Sequence, residues 1–254
     1  MAGHSKWANI KRQKARVDAK KGKVFARLSR AIIVAARHGS ADPNGNFQLR
    51  SAIDKAKAAG IPNENIDRAI AKGSGQLDAE GDQWEEILYE GYGIGGVALL
   101  IEAMTDNRNR TAADLRAAFN KYGGNLGETG CVGWMFQQRG IISILGPVDE
   151  DQLFESLVEA GADAYEFVEE DDQTIAEVST DVAELEAVTI ALKAQKFQIL
   201  DAEVRWIGDT SVAIADPTQA KSLIQLMDTL EDLDDVQSVT ANVEFMDGVL
   251  AGIA

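Results

Sequence analysis

The sequence has very few of the residues that build disulfides, metal clusters and catalytic triads. It contains a single cysteine, Cys131, and two histidines, His4 and His38. One cysteine excludes an intrachain disulfide and a cysteine-based zinc cluster, which indicates a reducing compartment. Two histidines so far apart in the sequence leave too few parts for a Ser-His-Asp triad or a histidine metal site. We therefore expect a protein that is not an enzyme and that holds no metal and no cofactor.

Long apolar runs are also missing. The apolar run at 31–36 is far shorter than the roughly 20 residues that a membrane helix needs. The first residues lack the basic stretch, apolar stretch and small-residue cleavage site that are typical of a secretion signal. With 45% hydrophobic and 26% charged residues, the composition is that of an ordinary globular protein. We expect a cytoplasmic protein with no membrane partner.

Charge is distributed very unevenly along the chain. Residues 1–75 contain 16 Lys+Arg and 5 Asp+Glu, whereas residues 76–254 contain 9 and 36, and the whole chain carries a net charge of −16 at pH 7. A basic first part on an acidic body can present one face to phosphate groups while the rest is repelled by them. The pattern indicates a protein that binds nucleic acid in one orientation.

The segment 1–24 is the most basic part of the chain and shows almost no apolar periodicity. Such a segment cannot bury itself, so we predict a mobile arm. Its cations would neutralise phosphates, and Trp7 would stack on an exposed base. Arg27 and Arg30 extend this basic patch because they lie off the apolar stripe of the next helix. The alternative interpretation of the arm is a solvated charge run that only aids solubility. The candidate contacts in the arm are Lys6, Trp7, Lys11, Arg12, Lys14, Arg16, Lys20, Lys21 and Lys23.

Three short helices are predicted after the arm. An apolar stripe at helical spacing runs from Phe25 to Ala36 and stops at Gly39. A second helix is predicted at 47–59 and a third from after Asn63 to Lys72, each followed by glycine. Together with the arm, these helices predict a small all-α head over residues 1–75.

Beyond residue 75 the pattern changes to alternating strands and helices. The stretch 141–206 has the order β-α-β-β-α-β, which is the split pattern of ferredoxin-like folds. We predict an α+β fold in which the head is followed by two ferredoxin-like α/β sandwich domains with antiparallel sheets, one (139–207) inserted into the other (76–138 and 208–254). The predicted strands are 97–103, 132–137, 141–145, 164–168, 174–178, 199–206, 211–215 and 236–245, and the predicted helices are 111–122, 149–160, 182–195 and 217–230.

A glycine-rich stretch formally matches the dinucleotide-binding motif G-x-G-x-x-G through Gly91, Gly93 and Gly96. That motif must follow a strand and open a helix, whereas this one precedes the predicted strand 97–103. We interpret it as a tight turn that leads into a sheet.

The segment 105–111 is a polar connection between a strand and a helix, which Asn109 or Thr111 can cap. Arg108 and Arg110 are basic residues in an acidic domain. They either bind phosphate or pair with local acids such as Asp106 and Glu102, and the sequence leaves both possibilities open.

The remaining acids and the cysteine give no sign of chemistry. Glu85, Glu86, Glu90 and the acidic run at 169–172 are interpreted as solvated faces, since nothing in their spacing fixes a metal coordination set. Cys131 is expected to be a small core residue at the start of a strand.

Several stretches of the sequence resemble the signatures of one family. They are AGHSKWANIK at 2–11, DAKKGK at 18–23, IPNENIDRAI at 61–70, EGYG at 90–93, GGVA at 95–98, TDNRNRT at 105–111 and GGNLG at 123–127. These stretches are similar to the YebC family, also called the YebC/PmpR family of probable transcriptional regulators, whose mitochondrial relatives are translational activators of cytochrome c oxidase. The resemblance covers most of the segment 1–140 strongly and the remainder by length and element order.

The resemblance implies three domains, one of them inserted, and a non-enzymatic role in gene expression without a small-molecule substrate. It leaves the partner open, because members are described both as DNA-binding transcriptional regulators and as ribosome-associated factors that help elongation through proline runs. The expected partner is therefore DNA or ribosomal RNA, the latter on the ribosome. An extended arm with Trp7 suits RNA, and the head offers few rows of side chains for reading base edges. A further alternative is an acidic adaptor whose ferredoxin-like domains dock on basic partner proteins.

Overall fold

The computed structural model of the chain describes residues 21–76, 84–170, 173–246 and 248–249. N-terminal helices are followed by antiparallel sheets with helices packed against them, so the predicted α+β fold class is confirmed. None of the helices in these ranges has the length and apolarity needed to span a membrane. The elements in chain order are α1 (Lys21–His38), α2 (Phe47–Ala58), α3 (Asn63–Gly73), β1 (Glu85–Tyr92), β2 (Ala98–Thr105), α4 (Arg108–Lys121), β3 (Asn125–Leu126), β4 (Phe136–Leu145), α5 (Glu150–Ala160), β5 (Ala164–Glu170), β6 (Gln173–Thr180), α6 (Leu185–Ala194), β7 (Ile199–Gly208), β8 (Val212–Ile214), α7 (Pro217–Glu231), β9 (Val236–Ala241) and β10 (Val243–Phe245).

Helices α1 to α3 form the head and pack around a core that includes Ile32, Leu49 and Ile66. Helix α2 begins where it was predicted because Asn46 caps it: its side-chain oxygen accepts a hydrogen bond from the Leu49 N–H at 3.0 Å. Helix α1 already includes residues 21–24, so the arm predicted over 1–24 is too long by at least these four residues. Lysine is a good helix former, and the first turn therefore extends past the apolar stripe.

The first sheet has the strand order β3-β1-β2-β9 and is antiparallel throughout. Helices α4 and α7 cover one face, where Leu99, Ile101 and Phe119 lie in the largest core. On the opposite face Leu100 contacts the loop before β4, and Met104 joins the core of the head. Because both faces are covered, β2 is a nearly continuous apolar run rather than an alternating one.

The second sheet has the order β5-β6-β4-β7, also antiparallel, with α5 and α6 on one face. Strands β4 and β7 pair from Phe136↔Gly208 to Ile144↔Ile199 and connect this sheet to the rest of the chain. A two-stranded parallel sheet of β8 and β10 is an addition that the prediction of antiparallel sheets did not include.

Three strand predictions were wrong in detail. The strand predicted at 132–137 begins only at Phe136, and it is continuous with the strand predicted at 141–145, so that both belong to β4. Gly140 lies inside β4, where a Cβ would lie only 2.9 Å from a Thr180 methyl group. Segment 236–245 is two strands, because Asn242 leaves the ladder and its side chain accepts a hydrogen bond from the Ala98 N–H at 2.7 Å. Strand β1 was not predicted at all; it contains Gly91, where a Cβ would lie 2.7 Å from the Asn125 carbonyl oxygen.

Candidate nucleic-acid interface

The structure places the predicted contact residues in three groups. Arg27 and Arg30 lie on α1, and Arg108 and Arg110 open α4 on the first sheet. Lys21 and Lys23 lie in the first turn of α1, where only the backbone is described. The remaining candidates lie outside the described residues; they are Lys6, Trp7, Lys11, Arg12, Lys14, Arg16 and Lys20.

Three cationic side chains of the head contact Trp84, which lies where the head meets the first sheet. Trp84 was not among the residues predicted from the sequence. The guanidinium carbon of Arg30 lies 5.8 Å from the centroid of the Trp84 ring, and the Lys72 ammonium lies 5.0 Å from the same ring. Arg37 donates to the Trp84 carbonyl oxygen at 2.9 Å. An aromatic face attracts a cation without cancelling its charge, so Arg30 keeps its positive potential in this cluster.

Arg27 is used differently from Arg30. Its Nη2 donates at 2.9 Å to the carbonyl oxygen of Glu231, the last residue of α7. A cation at a helix C-terminus satisfies an unpaired carbonyl and complements the helix dipole. Arg27 therefore fastens the head to α7. Among the described residues, no carboxylate lies within ion-pair distance of Arg27 or Arg30.

The connection before α4 is built around a buried carboxylate, Asp235. The Thr105 and Thr111 hydroxyls donate to Asp235 Oδ2 at 3.2 and 2.7 Å, and Arg110 Nη2 donates to the same oxygen at 2.9 Å. Burial acts to raise the pKa of Asp235, but these donors and the Arg110 charge outweigh it and lower that pKa below its ordinary value. The N-cap of α4 is Asn107, not Asn109 or Thr111 as expected.

The two arginines at the start of α4 pair with acids. Arg110 contacts Asp106 Oδ1 at 2.9 Å in addition to Asp235, and Arg108 Nε lies 3.6 Å from Glu85 Oε2. Of the alternatives left open by the sequence, ion pairing is the one the structure displays, with Asp106 as expected. The other expected partner, Glu102, instead accepts from the Trp206 Nε1–H at 3.2 Å.

Glu90 is buried, so the interpretation of this acid as part of a solvated face was wrong. Only 4% of its surface is exposed. Its Oε1 accepts from the Gly130 N–H at 2.6 Å, and its Oε2 accepts from the Val132 and Gly133 N–H groups at 2.7 and 2.6 Å. Burial acts to raise the pKa of Glu90, but the three donors lower it below its ordinary value. One carboxylate therefore fixes the whole loop before β4.

The loop that Glu90 holds presents Trp134 to solvent, with 71% of its surface exposed. The Cys131 carbonyl oxygen accepts from Tyr92 Oη at 3.0 Å and from Trp134 Nε1 at 3.3 Å, which stiffens the loop further. Cys131 lies in this loop rather than at a strand start. Burial and the nearby Glu90 charge raise the pKa of its thiol, which disfavours the thiolate form.

An ion-pair network joins α2 of the head to β7 of the second sheet. Lys55 contacts Asp201 at 2.8 Å and also Glu203, which in turn pairs with Arg205; Arg205 contacts Glu177 at 3.2 Å. Burial acts to raise the pKa of Glu203, but Arg205 and Lys55 lower it to about 2. Two acids of β7, Asp201 and Glu203, therefore bind a cation of the head.

Two family models match this chain. Residues 5–76 match the TACO1/YebC protein N-terminal domain, and residues 84–243 match the TACO1/YebC second and third domain. The chain belongs to the TACO1/YebC family. The family resemblance inferred from the sequence motifs is therefore confirmed.

Similar proteins carry the name of a regulator rather than an enzyme. The chain is 91% identical over 253 residues to a probable transcriptional regulatory protein of Acaryochloris marina, with 100% of both chains covered. It is 70% identical over 250 residues to one of Cyanothece sp., covering 98% of each. A crystal structure of a conserved hypothetical protein from Aquifex aeolicus is similar with a TM-score of 0.82 and 43% identity, covering 93% of this chain and 95% of that one. The names of the Acaryochloris and Cyanothece relatives support a regulator of the YebC type.

Proposed function

We propose that this protein is a cytoplasmic regulator of gene expression that binds nucleic acid through its basic segment 1–20 and the adjoining face of α1. The observation that carries the proposal is the cation cluster at Trp84. Arg30 is held there by an aromatic ring, with no carboxylate among the described residues in ion-pair distance, so its charge adds to that of the arm. The ion pairs of Arg108 and Arg110 favour a supporting role for these two residues.

We further propose the three domains that the sequence predicted, with a role for the first two. Residues 1–75 contact nucleic acid, 76–138 with 208–254 form the platform on which the head sits, and 139–207 are the inserted domain. The hydrogen bond from Arg27 to Glu231 and the Lys55 network support this arrangement, because they fix the head against both sheets.

Duplex DNA is the first candidate target, since the relatives are named as transcriptional regulators. In this role the arm and α1 would follow the phosphate backbone, and binding would fall steeply as salt is raised.

Ribosomal RNA is the second candidate, and the described head helices favour it. Arg50 pairs with Glu186, Lys55 with Asp201 and Arg68 with Glu64, so three cations of α2 and α3 are committed to acids. A helix that reads base edges in the major groove needs such side chains to be available. Shape and backbone contacts by an arm are typical of RNA recognition instead.

The deciding experiment is co-sedimentation with ribosomes beside duplex-DNA binding, each across a salt titration. The variants are the full chain, a deletion of residues 1–20 that keeps Lys21–His38 of α1, Arg30→Gln, and Arg68→Gln as a control arginine that is already paired within the head. The deletion removes six Lys and Arg residues, so the slope of log K against log salt should fall by roughly 5, and Arg30→Gln should lower it by about 1.

The outcomes separate the candidates. Ribosome association that persists near physiological salt while DNA binding collapses indicates a translation factor, and specific, salt-resistant DNA binding without ribosome retention indicates a transcriptional regulator. Full affinity of the deletion for both targets would end the proposal.

A further inference from the structure

Exposed apolar side chains lie on one side of the second sheet. Phe154 and Val158 of α5 have 55% and 67% of their surface exposed, and Phe167 of β5 has 38%. Single exposed apolar residues are ordinary, whereas neighbouring ones mark a surface that meets a partner. These three side chains mark such a surface if they are neighbours.

Their positions and contacts place them on the same side of the domain. Glu150, Phe154 and Val158 follow one another at intervals of four residues, so they share one stripe of α5. Tyr165 of β5 donates through Oη to Glu150 Oε1 at 3.0 Å, which sets its ring beside that stripe. The rings of Tyr165 and Phe167 meet edge to face with centroids 5.7 Å apart. We call Phe154, Val158 and Phe167 the α5–β5 patch.

The patch adjoins an open strand edge. In the order β5-β6-β4-β7, strand β5 is terminal and pairs with β6 alone among the described residues. The other side of this seven-residue strand offers backbone N–H and C=O groups. An edge of this kind binds an extended peptide by adding a strand, and nearby pockets select alternate side chains.

The charge around the patch is strongly negative. Residues 139–207 contain 17 Asp+Glu and 4 Lys+Arg. Asp151, Glu155 and Glu159 are exposed on α5, which contains no basic residue. Burial, and after it the neighbouring Glu177 carboxylate, raises the pKa of Glu166 on β5. A cationic partner is attracted to this edge, and an acidic one is repelled.

We propose that the β5 edge binds an extended, lysine- or arginine-rich segment of another protein, which adds a strand to β5 and sets an apolar side chain on the α5–β5 patch. This docking surface is separate from the basic face of α1. It gives the acidic inserted domain a role of its own: it recruits a basic protein while the arm holds nucleic acid.

The test uses the full chain labelled with ¹⁵N and a synthetic ten-residue peptide in which lysine alternates with apolar residues. One of the apolar residues is phenylalanine, and the others are valine. Two further peptides serve as controls: one has glutamate in place of lysine, and one carries N-methyl groups on alternate amides, which removes the donors that strand addition needs. The protein variants are Phe154→Ser with Val158→Ser, and Ile190→Ser, which changes an equally exposed residue of α6 outside the patch.

We expect the lysine peptide to shift the amide resonances of 164–170 and to bind about tenfold or more weakly to the double variant, because two apolar contacts are lost. Ile190→Ser should change the affinity by less than about twofold. The glutamate and N-methyl peptides should bind far more weakly than the lysine peptide.

Three results of the peptide titrations would overturn the proposal. They are equal binding of the N-methyl peptide, equal binding of the glutamate peptide, and resonance changes that avoid β5. If deleting residues 1–20 shifts the same amides without any peptide, the occupant is the arm of this chain and not a partner. If those amides shift only with rising protein concentration, it is a second copy. Loss of nucleic-acid binding by the arm deletion bears on the proposed function alone, so the two proposals fail separately.

Discussion

Replacing Glu90 by glutamine tests whether one buried carboxylate holds the loop that carries Trp134. Glutamine has the same shape, but only one of its two terminal atoms accepts hydrogen bonds. Its oxygen can keep the bonds from the Val132 and Gly133 N–H groups, while its NH₂ group then faces the Gly130 N–H as a second donor. The substitution removes the charge and leaves the Gly130 N–H, which belongs to an exposed residue, without this acceptor.

The expected cost follows from these bonds. A hydrogen bond to a charged group contributes about 1.5–3 kcal/mol and a neutral one about 1 kcal/mol. With two bonds weakened and one lost, we expect Glu90→Gln to lower the free energy of unfolding by about 3 kcal/mol. This is a large fraction of the stability of an ordinary domain.

The assay is urea denaturation followed by tryptophan fluorescence, with Glu128→Gln as the control. Glu128 is an exposed acid of the same loop, and its substitution should change the free energy of unfolding by less than about 0.5 kcal/mol. Since the folded-state pKa of Glu90 is lowered, its contribution is complete above the ordinary glutamate pKa and is lost as the pH falls through the folded-state value. The parent and Glu90→Gln curves should therefore converge in acid. A difference below about 1 kcal/mol at pH 7 would refute the reasoning.

Three further substitutions probe the junctions of the fold. Asp235→Asn should lower the free energy of unfolding by about 2 kcal/mol in urea denaturation, because Arg110 loses its buried partner; an unchanged midpoint would contradict this. Lys55→Met should lower the free energy of unfolding by about 1–2 kcal/mol, between the values for surface and buried ion pairs, because Glu203 keeps Arg205 as a cationic partner. This loss should become smaller in high salt, and a loss that does not depend on salt would contradict an ionic cause. Gly140→Ala should lower the free energy of unfolding by about 1–3 kcal/mol, because the added methyl group overpacks against the neighbouring strand and helix. Thermal unfolding measures this loss, and an unchanged melting temperature would contradict it.

Helices that have a clear apolar stripe and an N-cap residue could be predicted from the sequence. Helix α7 begins at Pro217 as expected, because proline fits the first turn and Asp216 caps it through the Thr218 N–H. Strand β1 could not be predicted, because its faces are buried against two different surfaces and its apolar residues do not alternate cleanly. It also contains Gly91, which a sequence pattern assigns to a turn but which the close approach of Asn125 requires here.

The candidate site was predictable only where the partners are local in sequence. The pairing of Arg110 with Asp106 spans one helical turn and was considered, whereas Asp235 lies 125 residues further along the chain. Trp84 is a single aromatic residue after a linker, and its role depends on Arg30 and Lys72 reaching it from two different helices. Contacts of this kind are set by the tertiary fold, so no local spacing reveals them.

The pairing of β2 with β9 has a consequence for how the chain is made. Leu99 pairs with Ala241, so the edge of β2 stays open on the ribosome until almost the whole protein has been synthesised. In the sequence, all strands of the second sheet lie between β2 and β9. Folding of this sheet brings Phe136 and Gly208 together. Once the second sheet has folded, the entropic cost of joining β9 to β2 is lowered to that of closing a much shorter loop. The inserted unit therefore acts as a folding aid for the sheet that surrounds it.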